Sequence, residues 1–286
     1  MRIVSAEAPI GVFDSGVGGL SVLRAIREEL PEESLLYVAD SGNAPYGDRP
    51  AAVVIERATT ITEFLLASRV KAIVVACNTV TVVAIEKLRS WCPVPIVAME
   101  PAIKPASRYT KSGVVGVLAT TRTLESPAVA RLCALYGSKV TIMLKACPGL
   151  VEQVERGELA SDETRSLLVT YLSPLLAAGA DTLVLGCTHY PFLGELIREI
   201  AGPNVTIVDS ALAVARELAR RLGANSQSSP PGKEIEERFF SSAPAEQART
   251  VMAGLLGRSI EVHGLEVLHP STRRDQSQCS VCPSGD

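Results

Sequence analysis

The chain predicts an α/β fold of two doubly wound halves, each a mainly parallel sheet covered by helices on both faces. Three observations carry this. Short apolar runs suited to buried strands alternate with longer amphipathic segments at helical spacing, the pattern of successive βαβ units. The alternation occurs in two copies along the 286 residues. One strand end also recurs: Val74-Val75-Ala76-Cys77-Asn78-Thr79 is echoed 110 residues later by Val184-Leu185-Gly186-Cys187-Thr188-His189. The approach segments, Ala67 to Ile73 and Ala177 to Leu183, align without a gap. Two copies of a thiol-bearing strand end suggest two half-sites facing each other on halves related by pseudo-symmetry.

In the first half, Ile10-Gly11-Val12-Phe13 reads as a short central strand feeding the loop Asp14-Ser15-Gly16-Val17-Gly18-Gly19. A helix is expected over 20–30, with Leu20, Leu23, Ile26 and Leu30 on one face and Arg24, Arg27, Glu28 and Glu29 toward water. Pro31 ends it. Leu35 to Ala39 is a second strand, leading into the polar loop 40–47. A helix over 51–67 precedes the strand carrying Cys77, and a helix over 79–91 follows it. Val94-Pro95-Ile96-Val97 closes this half as an edge strand or a strand start, because proline cannot donate to a ladder.

The second half opens with a helix near 101–109 and the strand Val114 to Ala119. Thr120-Thr121 starts one helix running through Leu135, and Val140 to Leu144 is the next strand. Cys147-Pro148-Gly149 turns into a helical stretch bearing Glu152 and Glu155. A helix over 162–178 leads to the Cys187 strand, another covers 193–200, and Val205 to Val208 is a strand. Asp209-Ser210 suits the cap of a helix over 211–222. Residues 225–232 read as a Ser/Pro/Gly linker, followed by a strand (237–241), a helix (245–256) and a strand (260–263). From Glu266 onward the chain is polar and rich in Ser, Pro and Arg, the composition of a disordered tail.

Composition narrows the function classes. The formal net charge is −3 and aromatics make up 4%, so neither a basic face nor a stacking platform for nucleic acid is evident. No apolar run approaches the ~20 residues that span a bilayer, and residues 1–7 lack the basic and apolar regions of a signal peptide. A cytoplasmic protein without nucleic-acid or membrane partners is expected, with its seven cysteines held mostly as thiols.

Cys77 and Cys187 each sit where a strand meets an expected helix N-terminus. The partial positive charge there lowers a thiol pKa from ~8.5, and the free N–H groups can hold a carboxylate. A strand-end cysteine is also a common core residue; the repeat argues against that for this pair. Asp14 and Ser15 suit helix capping. Gly16-x-Gly18 with Asp40 downstream also approaches a dinucleotide-binding pattern, but Ser21 stands where the third glycine belongs and Asp14 would repel a pyrophosphate. Asp14 near a thiol can instead act as its base. Asp40-Ser41 and Pro45-Tyr46-Gly47 form a turn-rich loop at a strand's carboxyl end, suited to a turn or to ligand contact. His189 can shuttle a thiol's proton near neutral pH or cap a helix. Glu152 and Glu155 read as a solvated acidic face. Cys92 and Cys133 fit buried hydrophobes. Cys279-x-x-Cys282 lacks the second pair or the flanking elements of a metal or redox site, so no metal is expected.

Taken together, Val12 to Leu20, Pro45-Tyr46-Gly47, Ala76 to Thr79, Cys147-Pro148 and Gly186 to Pro191 resemble the cofactor-independent aspartate/glutamate racemase superfamily, and within it the glutamate racemases. The resemblance covers roughly Ile10 to Leu265. It implies interconversion of L- and D-glutamate, supplying D-glutamate to peptidoglycan, with no pyridoxal or other cofactor. It implies that Cys77 as thiolate takes the α-proton from one enantiomer while Cys187 as thiol donates to the opposite face, the roles reversing on return. Position by position, Asp14 would assist Cys77, and Glu155 and His189 would assist Cys187. Asp14, Ser15, Asp40, Ser41, Pro45, Tyr46, Gly47, Asn78, Thr79, Thr120, Thr188 and His189 would form the substrate-binding set.

The resemblance further implies two α/β domains, 1–97 with 209–265 and 98–208, followed by a tail at 266–286. The active site would lie in the cleft between them, and the molecule would be a homodimer. Ser41 stands where the family pattern leads to threonine, a change that keeps the hydroxyl, and the tail has no counterpart. Lys145, near a strand end, is the one lysine considered for a Schiff base. Side-chain specificity is not readable from these motifs. An aspartate or hydantoin racemase with the same thiol pair is therefore the nearest alternative. A hydrolase or transferase using Cys77 alone, and a non-catalytic two-lobed amino-acid-binding protein, are the others.

Overall fold

The computed structural model describes residues 5–224, 228–229, 232 and 234–265. The expected tail with Cys279 and Cys282, and most of the expected linker, lie outside the described residues. In chain order the first half holds β1 (Ile10–Asp14), α1 (Leu20–Glu29), β2 (Leu35–Ala39), α2 (Ala51–Ala67), β3 (Ala72–Val75), α3 (Asn78–Arg89) and β4 (Ile96–Ala98). There follow α4 (Ile103–Tyr109), β5 (Val114–Ala119), α5 (Thr121–Leu124), α6 (Pro127–Tyr136), β6 (Thr141–Ala146), α7 (Leu150–Glu155), α8 (Asp162–Ala177), β7 (Thr182–Leu185), α9 (Gly194–Ala201) and β8 (Thr206–Val208). The chain then forms α10 (Ala211–Ala224), β9 (Glu237–Ser241), α11 (Ala245–Leu256) and β10 (Val262–Gly264).

The strands make a six-stranded sheet in the order β10-β9-β2-β1-β3-β4 and a four-stranded sheet in the order β6-β5-β7-β8. Every pairing among the described residues is parallel. The quartet β2-β1-β3-β4 and the sheet β6-β5-β7-β8 share one winding order, which is the repeat seen in the sequence. It reaches the hydrogen bonds: Ala76 N donates to Phe13 O at 2.8 Å, and Gly186 N donates to Leu118 O at 2.7 Å. Each thiol-bearing strand is thus zipped one residue past its end onto the central strand of its sheet. Central strands β1, β3 and β7 are buried along their whole length, as parallel strands covered on both faces must be.

Three boundaries differ from the sequence expectation. The single helix expected from Thr120 to Leu135 is two. Ser126 Oγ caps α6 by accepting from Val129 N at 3.2 Å, and Pro127 occupies its first position, where a missing N–H costs nothing. The stretch after Cys187 begins as a 3-10 turn at Tyr190–Leu193 before α9. The strand expected at 94–97 slides to Ile96–Ala98, leaving Pro95 outside, and lies at the sheet edge. Where the chain leaves and re-enters the first sheet's side, Ser210 Oγ donates to Glu100 O at 2.5 Å, and Asp209 Oδ1 caps α10 through Ala211 N. Among the described residues no helix is long and apolar enough to cross a membrane.

Asp181 pins the turn before β5 to the turn before β7. Its carboxylate accepts from Thr110 Oγ1 (2.6 Å), the amides of Lys111 and Ser112 (both 2.7 Å) and Thr182 Oγ1 (3.0 Å). Burial opposes the charge, but the hydrogen bonds outweigh it and hold Asp181 well below the ordinary carboxylate range. Asp181→Ala is expected to lower unfolding stability by about 1–2 kcal/mol, a value for charge-assisted bonds at a partly solvated site. Because the folded pKa is depressed, this contribution is complete above about pH 4 and is lost as pH falls through the folded-state value. Urea titrations at pH 7 and pH 3 check it: a difference that is unchanged at pH 3 contradicts the assignment.

Candidate active site

The carboxyl ends of both sheets deliver side chains to one place. Asp14 ends β1, and Ser15 begins the loop that enters α1. Cys77 is the N-cap residue of α3 in extended conformation, with its carbonyl accepting from Thr81 N at 3.0 Å. Cys187 follows β7 by two residues, and His189 precedes the 3-10 turn. Thr120 caps α5, the first helix after β5.

Asp14 is fully buried, and its four hydrogen bonds reach both halves. Oδ1 accepts from Ser15 N (2.7 Å) and Ser15 Oγ (3.3 Å), while Oδ2 accepts from Gly19 N (2.7 Å) and Thr188 Oγ1 (3.1 Å). Burial raises its pKa, and the positive charge of His189 partly offsets this. Cys77 Sγ donates to Ser15 Oγ at 3.5 Å. Burial, followed by the Asp14 charge, pushes the Cys77 thiol well above its ordinary range. The expectation that the helix N-terminus lowers this thiol is therefore corrected: loss of water and a neighbouring carboxylate outweigh the half-charge of α3.

On the other wall, Cys187 Sγ lies 3.7 Å from His189 Nδ1, and His189 Nε2 lies 2.6 Å from Glu155 Oε1. Burial alone would keep this imidazole neutral, but its hydrogen bonds and charge interactions with Cys187 and Glu155 raise its pKa well above the ordinary value. The protonated form of His189, in which both ring nitrogens donate, is thereby favoured. Glu155 Oε1 also accepts from Val17 N at 2.7 Å, and its Oε2 accepts from Ser41 Oγ at 2.8 Å. Of the two acids on α7 it is Glu155 that meets the histidine. The glycine-rich loop owes its composition to this contact. A Cβ on Gly16 would stand 1.8 Å from Glu155 Oε1, and one on Gly18 would stand 2.3 Å from His189 Nδ1.

Between the walls is a small, partly open cavity. Ser15, Pro45, Tyr46, Gly47, Cys77, Asn78, Thr79, Thr120, Thr188, Cys187 and His189 line it, joined by Thr123, Val151 and Gly186. The Asn78 amide is 3% exposed, and neither its Nδ2 nor its Oδ1 has a partner. A buried amide with both ends unmatched is costly and marks a place where a polar ligand belongs. Thr79, Thr120 and Thr123 add a triangle of hydroxyls, with Thr79 to Thr120 at 3.1 Å and Thr120 to Thr123 at 2.9 Å.

Asp14 bridges the walls behind this cavity, and Ser41 and Glu155 border an adjoining pocket on its outer side. Asp40 corrects the expectation. It does not line the cavity, because its carboxylate is engaged by Arg57 (Nε 2.8 Å, Nη2 2.7 Å), Asn43 Nδ2 (3.1 Å) and the Tyr46 hydroxyl. It braces the loop that bears Tyr46 and Gly47 rather than facing a ligand. Burial, then the Asp40 charge, keep Tyr46 protonated. Sequence reasoning missed Arg57, which gives no signal mid-helix, and Thr123, whose spacing of one turn from Thr120 could have shown it. Cys92 and Cys133 are only partly buried, and all five described cysteines are free thiols. Lys145 lies over the Tyr171 ring at 5.6 Å and not in the cavity.

A family model described as Asp/Glu/Hydantoin racemase matches residues 10–218. A glutamate racemase of Methylococcus capsulatus is 56% identical over 252 residues, spanning 87% of this chain and 92% of that protein. The structure of Escherichia coli glutamate racemase in complex with L-glutamate and the activator UDP-MurNAc-ala gives a TM-score of 0.81 at 34% identity, covering 92% of this chain and 100% of that one. The Francisella tularensis glutamate racemase in complex with D-glutamate gives 0.79 at 28% identity, covering 92% and 98%.

The Asp40 cluster makes a stability prediction. Arg57→Met leaves a fully buried carboxylate without its cation and is expected to cost about 3–5 kcal/mol. Adding Asp40→Asn should return a substantial part of that loss, since the charge needing a partner is gone. Chemical unfolding of the three proteins checks it, and an Arg57→Met protein as stable as the parent contradicts it.

Proposed function

The chain belongs to the Asp/Glu/Hydantoin racemase family, and we propose that Cys77 and Cys187 are the two bases with which it interconverts L- and D-glutamate. The reaction itself, glutamate racemisation, supplies D-glutamate for peptidoglycan. The observation that carries the residue assignment is the cavity with a thiol on each wall and the unpaired Asn78 amide beside them.

Racemisation removes a proton from one face of Cα and returns one to the other. Thiols on opposite walls do this without turning the substrate over. Burial and the Asp14 charge favour the protonated Cys77 thiol. The substrate's ammonium group brings a positive charge into the cavity and favours the thiolate, the form that takes the α-proton, and Asp14 reaches the sulfur through Ser15. Cys187 is paired with the His189 imidazolium, which can supply or stabilise charge as the sulfur donates or accepts. Glu155 holds that imidazolium in place. The Asn78 amide and the Thr79, Thr120 and Thr123 hydroxyls offer the donors for two carboxylates, in a cavity where charge interactions are strengthened by the exclusion of water.

The same reading places the residues 1–97 with 209–265 in one domain and 98–208 in another, with the substrate between them. It takes the molecule to be a cytoplasmic homodimer. Asp40 has no part in substrate contact in this reading; it acts through the Tyr46 loop.

Cys77→Ser and Cys187→Ser are each expected to lower the rate of L-to-D conversion by about 100-fold or more, the range for loss of a positioned acid or base. Cys92→Ser should be unchanged. Circular dichroism of glutamate solutions, without added cofactor, follows the reaction. Full activity in either of the first two variants removes the two-thiol mechanism, and unchanged L-glutamate with the parent protein removes turnover altogether.

A further inference from the structure

The two thiols are linked behind the cavity by a continuous chain of hydrogen-bonding groups. Ser15 Oγ lies 3.5 Å from Cys77 Sγ and 3.3 Å from Asp14 Oδ1. Asp14 Oδ2 lies 3.1 Å from Thr188 Oγ1, which is 3.5 Å from His189 Nδ1. That nitrogen is 3.7 Å from Cys187 Sγ. No member of the chain is more than 7% exposed.

A two-thiol reaction leaves the enzyme in the wrong protonation state for its next turnover. After one passage Cys77 carries a proton and Cys187 has lost one; a second passage in the same direction needs the opposite. We propose that the proton returns from Cys77 to Cys187 through Ser15, Asp14, Thr188 and His189 rather than through bulk water. This rests on the two-thiol reading above and extends it from the chemical step to the resetting of the enzyme.

The transfers balance. His189 gives its Nδ1 proton to the Cys187 thiolate and takes the Thr188 hydroxyl proton in its place. At the far end the Cys77 S–H bond breaks as an O–H bond forms on Ser15, whose own proton moves to Asp14 Oδ1. A half-turn of the carboxyl about its soft terminal torsion presents that proton to Thr188 Oγ1, restoring its hydroxyl. One proton has moved from Cys77 to Cys187, one negative charge has moved the other way, and Asp14 ends as the carboxylate it was. Burial, which raises the Asp14 pKa, suits it to carry the proton midway. The Nε2 proton stays fixed on the Glu155 side at 2.6 Å, so only Nδ1 exchanges. Thr188 is the narrowest point, because its hydroxyl alone joins the Asp14 side to the His189 side.

The test is the behaviour of net conversion at glutamate concentrations far above saturation. If resetting is slow, unreset enzyme captures product and runs it backward, so net conversion falls as total glutamate rises. The parent protein and Thr188→Ser, which keeps the hydroxyl, should saturate simply and ignore added imidazole, a small proton carrier. Thr188→Val, which keeps the shape and loses the hydroxyl, should show the fall, and imidazole should relieve it about tenfold. Ser15→Ala cuts the route at its other end and is read in the same way if Thr188→Val does not turn over. Simple saturation without an imidazole response in the cut variants, whatever their KM, overturns the relay, as does a fall in the parent protein. A parent protein that does not racemise glutamate fails the functional reading itself, a result distinct from either of these.

Discussion

Glu155 is the junction on which the site depends. Its carboxylate accepts from Val17 N and Ser41 Oγ, which belong to loops of the first sheet, and from His189 of the second. Three bonds to one anion, two of them from the opposite half, fix where the halves meet and how the imidazole is turned toward Cys187. A buried ion pair of this kind adds little to stability, since removing both charges from water costs about as much as their attraction returns. Its value here is positional. Gly16 and Gly18 are the sequence's accommodation to it, because a side chain at either would occupy the space of the Glu155 carboxylate or the His189 ring.

A second constraint follows from closing two thiols inside protein. Burial raises the Cys77 thiol, and Asp14 nearby raises it further. The helix N-terminus that looked, from sequence, like the activating feature cannot reverse this. A cation brought beside the sulfur would offset both effects and favour the thiolate. The ammonium of an amino acid is such a cation, which accords with the proposed reaction. The two walls resemble each other in backbone, with matching bonds from Ala76 to Phe13 and from Gly186 to Leu118. They differ in assistance: a carboxylate reached through Ser15 on one side, an imidazolium on the other.

Much of this was legible in the sequence. The βα alternation and its repeat follow from patterns in the chain, and Cys77, Cys187, Asp14 and His189 share one end because parallel sheets place the residues after their strands there. Glu155 reads from the residues alone as a solvated face and is reached only through the family resemblance. What was not legible depended on contacts between distant segments. Asp40 at a strand's carboxyl end looks the same whether it faces a ligand or an arginine, and only the fold shows that Arg57 of α2 and Tyr46 claim it. The choice between Glu152 and Glu155 is one helical turn, settled by which face of α7 meets His189. The break at Pro127 was readable in principle from Ser126-Pro127, a cap followed by a first helical position, but the apolar spacing on either side masked it.

Racemisation by two bases means that the α-proton leaves to one thiol and a different proton arrives from the other. Its most direct measurement is the early time course of L-glutamate in D2O with the parent protein, sorting α-deuterium between the two enantiomers by chiral separation and mass spectrometry. With enzyme pre-equilibrated in D2O, the donor thiol and the groups that refill it carry deuterium, so two bases predict deuterium in the D-glutamate of the first turnovers while the recovered L-glutamate keeps its protium. Deuterium entering the recovered L-glutamate as fast as D-glutamate forms would mean that one exchangeable base serves both faces, and would contradict the account.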